Sequence, residues 1–171
     1  FLQDIDDFSN IEIEIYQRSF TPANIEDNDY SIMIPHIAPN SNTVSILGLI
    51  SLTNTGNTSF MADLSDPNVS GINLLRFSLP ENFQNLSVDS DLPPGNVMQI
   101  PTGFALSNPV PPGEHQILYS YSMPQNTTEI PFSIRLPFGA KKFKLLAPEK
   151  SKYKMPDILA VDSTNVDGKK Y

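Results

Sequence analysis

Apolar residues recur at every second position in short runs, and proline, glycine, asparagine and serine stand between the runs. Ile11, Ile13 and Ile15 alternate with Glu12, Glu14 and Tyr16, the two-residue rhythm of a half-buried strand. Tyr30, Ile32, Ile34 and His36 repeat it, and Pro35 marks a strand end or an edge. Val44 to Leu52 is almost wholly apolar around Gly48, which predicts a central strand covered on both sides, followed by a turn at Asn54-Thr-Gly56-Asn57. Leu75, Phe77 and Leu79 share one strand face, Arg76 and Ser78 the other, and Pro80 ends the run. A polar loop broken by Pro93-Pro94-Gly95 follows, then a strand over Met98 to Leu106. Pro109 to Gly113 is a strong turn ahead of Ile117, Tyr119 and Tyr121. The clearest alternation runs from Ile130 to Phe138, where Pro131 and Pro137 share one face and predict an edge or bulged strand. Phe143 to Leu146 and Ile158 to Val161 complete eight or nine strands, and no apolar run has helical spacing.

Short strands joined by proline- and glycine-rich turns close into sandwiches or barrels. The expected fold is all-β, a two-sheet antiparallel sandwich of immunoglobulin-like type, with a jelly roll as the alternative. Residues 1–10 carry Asp4, Asp6 and Asp7 without pattern and read as a linker. The sandwich is expected over 11–147, and 148–171 reads as a C-terminal strand or tail. Val166-Asp167-Gly168-Lys169 is a hairpin signal, but Tyr171 follows so soon that no return strand is expected to form. The natural chain is expected to continue there, and the start at Phe1 to result from cutting.

A length of 171 residues suits one domain with a core that needs no cross-links. Sixteen prolines among the apolar runs argue against long helices. The absence of cysteine excludes disulfides, thiolate metal sites and thiol nucleophiles. No apolar run approaches membrane-spanning helix length. Few charged residues, with many Asn, Ser and Thr, suggest an extracytoplasmic β-protein, secreted or displayed at the cell surface, either free or anchored to the membrane. The net charge of −8 argues against a nucleic-acid partner. Its distribution is uneven. Up to residue 140, three arginines face 15 carboxylates, giving −12; from Lys141 onward, eight lysines face four carboxylates, giving +4. The basic end suits either a strand edge guarded by lysines or proximity to an anionic membrane or cell wall.

Leu75-Arg-Phe-Ser-Leu-Pro80, then Gly103-Phe104, then Pro109-Val-Pro-Pro-Gly113-Glu ahead of Tyr119-Ser-Tyr121, form a recognisable series, with Thr53 to Phe60 upstream. The series resembles a loosely defined set of uncharacterised bacterial surface proteins, in which such a β-domain follows a carboxypeptidase-regulatory-like module and is often membrane-anchored. The resemblance covers most of residues 11–171. It implies export and a β-sandwich; it carries no catalytic residue.

The chemistry-bearing residues are few. His36 and His115 stand at expected turns, and without a third nitrogen or thiolate ligand a zinc site would need distant carboxylates. No nucleophile elbow, no Gly-x-Gly and no Gly-Lys-Ser/Thr occurs. Glu26-Asp27-Asn28-Asp29 and Asp89-Ser90-Asp91 are dense acidic clusters on expected loops, with Asp63 and Asp66 a weaker pair. Such oxygens can hold calcium, but Ile32 fills the position where a helix-loop-helix site needs glycine. No carboxylate pair marks itself for glycoside chemistry, and tryptophan is absent. Tyr30, Tyr119 and Tyr121 could stack on a sugar, or line a core with polar tips. Asn57, Asn68, Asn85 and Asn126 head Asn-x-Ser/Thr sequons, which arise by chance in an Asn- and Thr-rich bacterial chain. No catalytic, cofactor-binding or metal residue is therefore assigned. The expected role is a non-catalytic spacer or interaction module of a bacterial envelope protein, whose partners are other envelope proteins or adjacent domains. A glycan- or peptide-binding β-sandwich is the alternative.

Overall fold

A computed structural model describes residues 13–35, 42–63, 73–124, 134–136, 138–149 and 162–171. Among them the fold is all-β. The larger sheet has five strands in the order β10-β2-β3-β9-β6. These are β2 (Ile25–Met33), β3 (Thr43–Asn54), β6 (Gln84–Ser90), β9 (Gly113–Pro124) and β10 (Lys142–Leu146). The smaller sheet, β5-β8-β7, comprises β5 (Leu75–Ser78), β7 (Val97–Ile100) and β8 (Gly103–Leu106). A short parallel pair, β1 (Arg18–Ser19) with β4 (Ser59–Phe60), joins the core through the bridge between Phe60 and Val110. The remaining ladders are antiparallel except β10, which runs parallel to β2 at the edge of the larger sheet.

The two sheets meet over the alternating side chains that the sequence pattern marks. Ile46, Ile50 and Leu52 of β3, Ile117, Tyr119 and Tyr121 of β9, and Tyr30 and Ile32 of β2 are buried with Leu75 and Phe77 of β5 and Phe104 and Leu106 of β8. The Phe104 and Tyr119 rings, one from each sheet, lie 5.4 Å apart. Burying a side chain of this size contributes about 1.5–3 kcal/mol. The seam therefore consumes most of the large apolar residues.

Tyr119 has a particular seat. It pairs directly with Gly48, and its ring crosses the face of β3 where every other inward position carries a side chain. A Cβ on Gly48 would lie 2.0 Å from Tyr119 Cζ. The glycine leaves room for an aromatic ring in the middle of the central strand.

Several expectations need correction. Ile13 and Ile15 lie outside any strand and are 78% and 89% exposed, because β2 already occupies that side of β3 and the inner face is filled without them. β3 is central but, among the described residues, covered on one face: Leu47 and Leu49 point outward and are partly exposed, since the second sheet packs on the other side. The cluster Glu26 to Asp29 is part of β2, not a loop. A bulge at Asn28 resets the alternation, so that Ile25 and Asp27 point inward before it and Tyr30, Ile32 and Ile34 after it. The polar stretch after Pro80 contains the edge strand β6, which buries little and so lacks a strong pattern. Met98 to Leu106 is a hairpin of β7 and β8, turned at Pro101-Thr102. Gly103 there has φ +143°, and a Cβ on it would strike the Phe77 carbonyl.

Most of Ile130 to Phe138, and all of Ile158 to Val161, lie outside the described residues. Within the former, Ile134, Leu136 and Phe138 pack against the core but form no strand; prolines at 131 and 137 remove the N–H groups a ladder would need. At the C-terminus a return strand does form. Asp167 and Gly168, with φ 49° and 73°, make the tight turn joining β11 (Asn165–Val166) to β12 (Lys169–Lys170). Thr164 and Tyr171 extend the pairing by exchanging both backbone hydrogen bonds, so two residues per strand suffice.

Replacing Gly48 with Ala should lower unfolding stability by about 1–3 kcal/mol, the usual cost of overpacking a filled core. Urea denaturation checks this; an unchanged midpoint would mean that the Tyr119 ring does not cross the strand.

Candidate functional site

The groups best able to do chemistry converge on the inner face of the larger sheet. The Tyr30 and Tyr119 hydroxyls are 2.9 Å apart and share one hydrogen bond, and the two rings meet edge-on. Tyr119 and Tyr121, two residues apart on β9, stack 6.2 Å apart. Burial raises all three phenols, Tyr30 to about 12, so they are neutral near pH 7. With no more than 2% of any of the three exposed, they form core with polar tips and leave no ring open to stack on a sugar.

Asp27 lies beside this cluster. Its backbone belongs to the β2 bulge, and its carbonyl accepts the Lys141 N–H at 3.1 Å. Its side chain is buried, and neither carboxylate oxygen has a hydrogen-bond partner among the described residues. Desolvation pushes its pKa up to about 7, and the charge is felt at Tyr30. A carboxyl titrating near neutrality is a common mark of catalysis. Here the group is buried, and among the described residues neither oxygen has an acid, base or nucleophile within hydrogen-bond reach. What it offers is a proton-linked cost to folding. Sequence reasoning placed Asp27 among loop charges, because the acidic run hides the inward rhythm that the bulge interrupts.

The other candidates are dispersed. His115 is the third residue of β9, not an exposed turn residue, and its side chain is 13% exposed. Nε2 donates to the Pro111 carbonyl at 3.0 Å, and Nδ1 faces Asp91 Oδ1 at 3.7 Å. Asp91 Oδ1 also accepts the Gln116 N–H at 2.9 Å. Nε2 thus ties β9 to the turn ahead of it, while Nδ1 faces the carboxylate that anchors β9 to the end of β6. His36 and Asp66 lie outside the described residues. Asp89 is on β6, and Asp91 follows it; among the described residues no three His, Asp or Glu groups are placed to hold a metal ion. Of the sequon asparagines, Asn57 is exposed in the β3–β4 turn, whereas Asn85 donates its amide to Ser122 Oγ at 2.8 Å. Asn68 and Asn126 lie outside the described residues.

Among the described residues, exposed apolar side chains include two groups and, on β10, Phe143. The outer face of the larger sheet shows Leu47, Leu49 and Leu118, with Leu49 and Leu118 directly paired across β3 and β9. The second is the pair Ile13 and Ile15, ahead of β1.

No family model and no curated protein matches the chain. Among solved structures, it is similar to a two-domain M1 zinc metallopeptidase mutant bound to L-tryptophan, at 9% identity and TM-score 0.39. The match covers 63% of this chain and 22% of that one. So slight a likeness carries no functional argument.

Two outcomes follow. Between about pH 4 and pH 7 the unfolded chain ionises Asp27 while the folded chain keeps it protonated, so this residue makes stability fall as pH rises. Asp27→Asn should therefore raise the urea midpoint at pH 8 relative to the native chain and do so much less at pH 4; an equal shift at both would remove the desolvation account. Tyr119→Phe should cost about 1–3 kcal/mol by leaving the Tyr30 hydroxyl unpaired in the core. Measuring it in a Tyr30→Phe background, where most of that cost should vanish, isolates the shared hydrogen bond.

Proposed function

We propose that the chain is a non-catalytic extracytoplasmic module, a spacer or interaction domain of a bacterial envelope protein. The observation that carries this reading is where its reactive groups lie. The three tyrosines and Asp27 are enclosed by the fold, and both His115 nitrogens face structural partners. What the surface offers instead is strand edges and apolar side chains, the materials of recognition. The surface resemblance noted in the sequence supports export, and the lack of cysteine is compatible with it.

Within the all-β class, an immunoglobulin-like sandwich is the favoured architecture. Its support is the division into five strands and three; a jelly roll usually divides eight strands as two sheets of four. Two lysines of the basic end, Lys142 and Lys144, lie on β10, an edge strand among the described residues, which favours the reading of these two as edge guards over contact with an anionic surface.

Two measurements test the proposal. Antibody labelling of intact cells should detect the chain outside the cytoplasmic membrane, and exclusively cytoplasmic recovery would refute that part. Generic ester, phosphate, glycoside and peptide substrates should show no turnover above buffer. Turnover that disappears with a single carboxylate or His115 substitution would refute the rest.

A further inference from the structure

Two halves of an unmade strand pair are exposed on this molecule. The first is the segment Ile13-Glu14-Ile15-Tyr16. It is fixed at its C-terminal end, where the Gln17 carbonyl accepts the Ser59 N–H at 2.8 Å and Arg18 begins β1. Ahead of that anchor, Ile13 and Ile15 are 78% and 89% exposed. The Tyr16 hydroxyl donates to Glu14 Oε2, so the polar side chains at i and i+2 reach each other. In an extended strand such residues share a face, and the two isoleucines share the opposite one.

The second half is β10. Among the described residues it pairs with β2 alone, leaving its other edge open. Its side chains alternate as Lys142, Phe143, Lys144, Leu145. Phe143 and Leu145 lie in register with the buried Tyr30 and Ile32, on the core side. Phe143 stacks on Tyr30 at 6.2 Å yet remains 43% exposed, an apolar row left uncovered on its outer flank. Lys142 and Lys144 are on the solvent face, where Lys144 stands opposite Ser31 of β2.

We infer that Ile13–Tyr16 of one chain adds as a sixth strand to the β10 edge of a second copy of the chain. With Glu14 opposite Lys144, the isoleucines fall opposite Phe143 and Leu145 whether the added strand runs parallel or antiparallel. One register therefore satisfies both the apolar row and the charged row. Edge lysines repel strands of like charge or bare apolar character, but a strand alternating isoleucine with glutamate is the complement that they admit. Each copy carries both halves, so reciprocal exchange closes a two-fold dimer. The inference deepens the interaction-module reading and rests on it. The two fail separately: turnover or a cytoplasmic location leaves the oligomeric state untouched, and a monomer refutes the strand exchange alone.

Sedimentation velocity on the chain over a concentration series should show a reversible monomer–dimer equilibrium. Glu14→Lys alone and Lys144→Glu alone should each abolish the dimer, with melting temperatures unchanged at concentrations where the native chain is itself monomeric, because both side chains are exposed. Mixing the two variants should restore it, since each donor strand then meets an edge of opposite charge. Ile15→Ser should also abolish it. A monomer at every concentration would overturn the inference. So would a dimer indifferent to these substitutions but lost in Leu49→Ser, which would place the contact on the outer sheet face. Failure of the mixture to dimerise would overturn the Glu14–Lys144 pairing. Finally, chains carrying Glu14→Cys and Lys144→Cys together should form a disulfide between chains; one formed only within a chain would overturn the second copy as occupant.

Discussion

The fold depends on one aromatic ring lying across one glycine. Tyr119 covers Gly48 in the middle of the central strand pair, and from that seat it touches Phe104 of the other sheet, Tyr30 of β2 and Tyr121 of its own strand. A branched residue at position 48 would push the ring into the space Phe104 occupies. The separation of the sheets, the Tyr30–Tyr119 hydrogen bond and the stacking along β9 all follow from that one gap. Interiors are packed like crystals, so a ring of this size has one place to go.

The same packing explains why the reactive groups are quiet. The buried phenols are held neutral near pH 7 by desolvation, and the same effect raises the Asp27 carboxyl to about 7, which is a cost to the fold. The β2 bulge carries that cost. It lets Ile25 and Asp27 face inward on one phase and Tyr30, Ile32 and Ile34 on the next, and among the described residues it leaves the Asp27 carboxylate without a hydrogen-bond partner. The polar groups that are well placed serve joints. Asn54 Nδ2 donates to the Thr58 and Val110 carbonyls while its Oδ1 accepts the Gly56 N–H, tying the β3–β4 turn to the segment ahead of β9. His115 and Asp91 do the same where β6 meets β9.

At the edges the balance reverses. Among the described residues β10 pairs on one side only, with β2, and carries lysines, while the segment ahead of β1 exposes two isoleucines. A sheet edge carrying lysines beside a partly exposed Phe143, and an exposed segment of alternating isoleucines ahead of β1, are features of the described surface that the core does not explain.

Alternation alone fixed much of this protein. Leu75-Phe77-Leu79, Ile117-Tyr119-Tyr121 and Tyr30-Ile32-Ile34 were legible as strand faces because a two-residue rhythm has no other economical use, and the all-β class and the absence of catalytic motifs followed from the same reading. The rhythm could not say which strands would find a seat. Ile13 and Ile15 alternate as cleanly as any, yet they are exposed, because burial depends on whether a neighbouring edge is already taken. Nor could it mark Asp27 as buried, since one extra residue at Asn28 shifts the phase without leaving a trace in composition. Local sequence sets which side chains can share a face; only the three-dimensional packing decides which faces are covered, because the space inside the seam is finite and is filled by residues far apart in the chain.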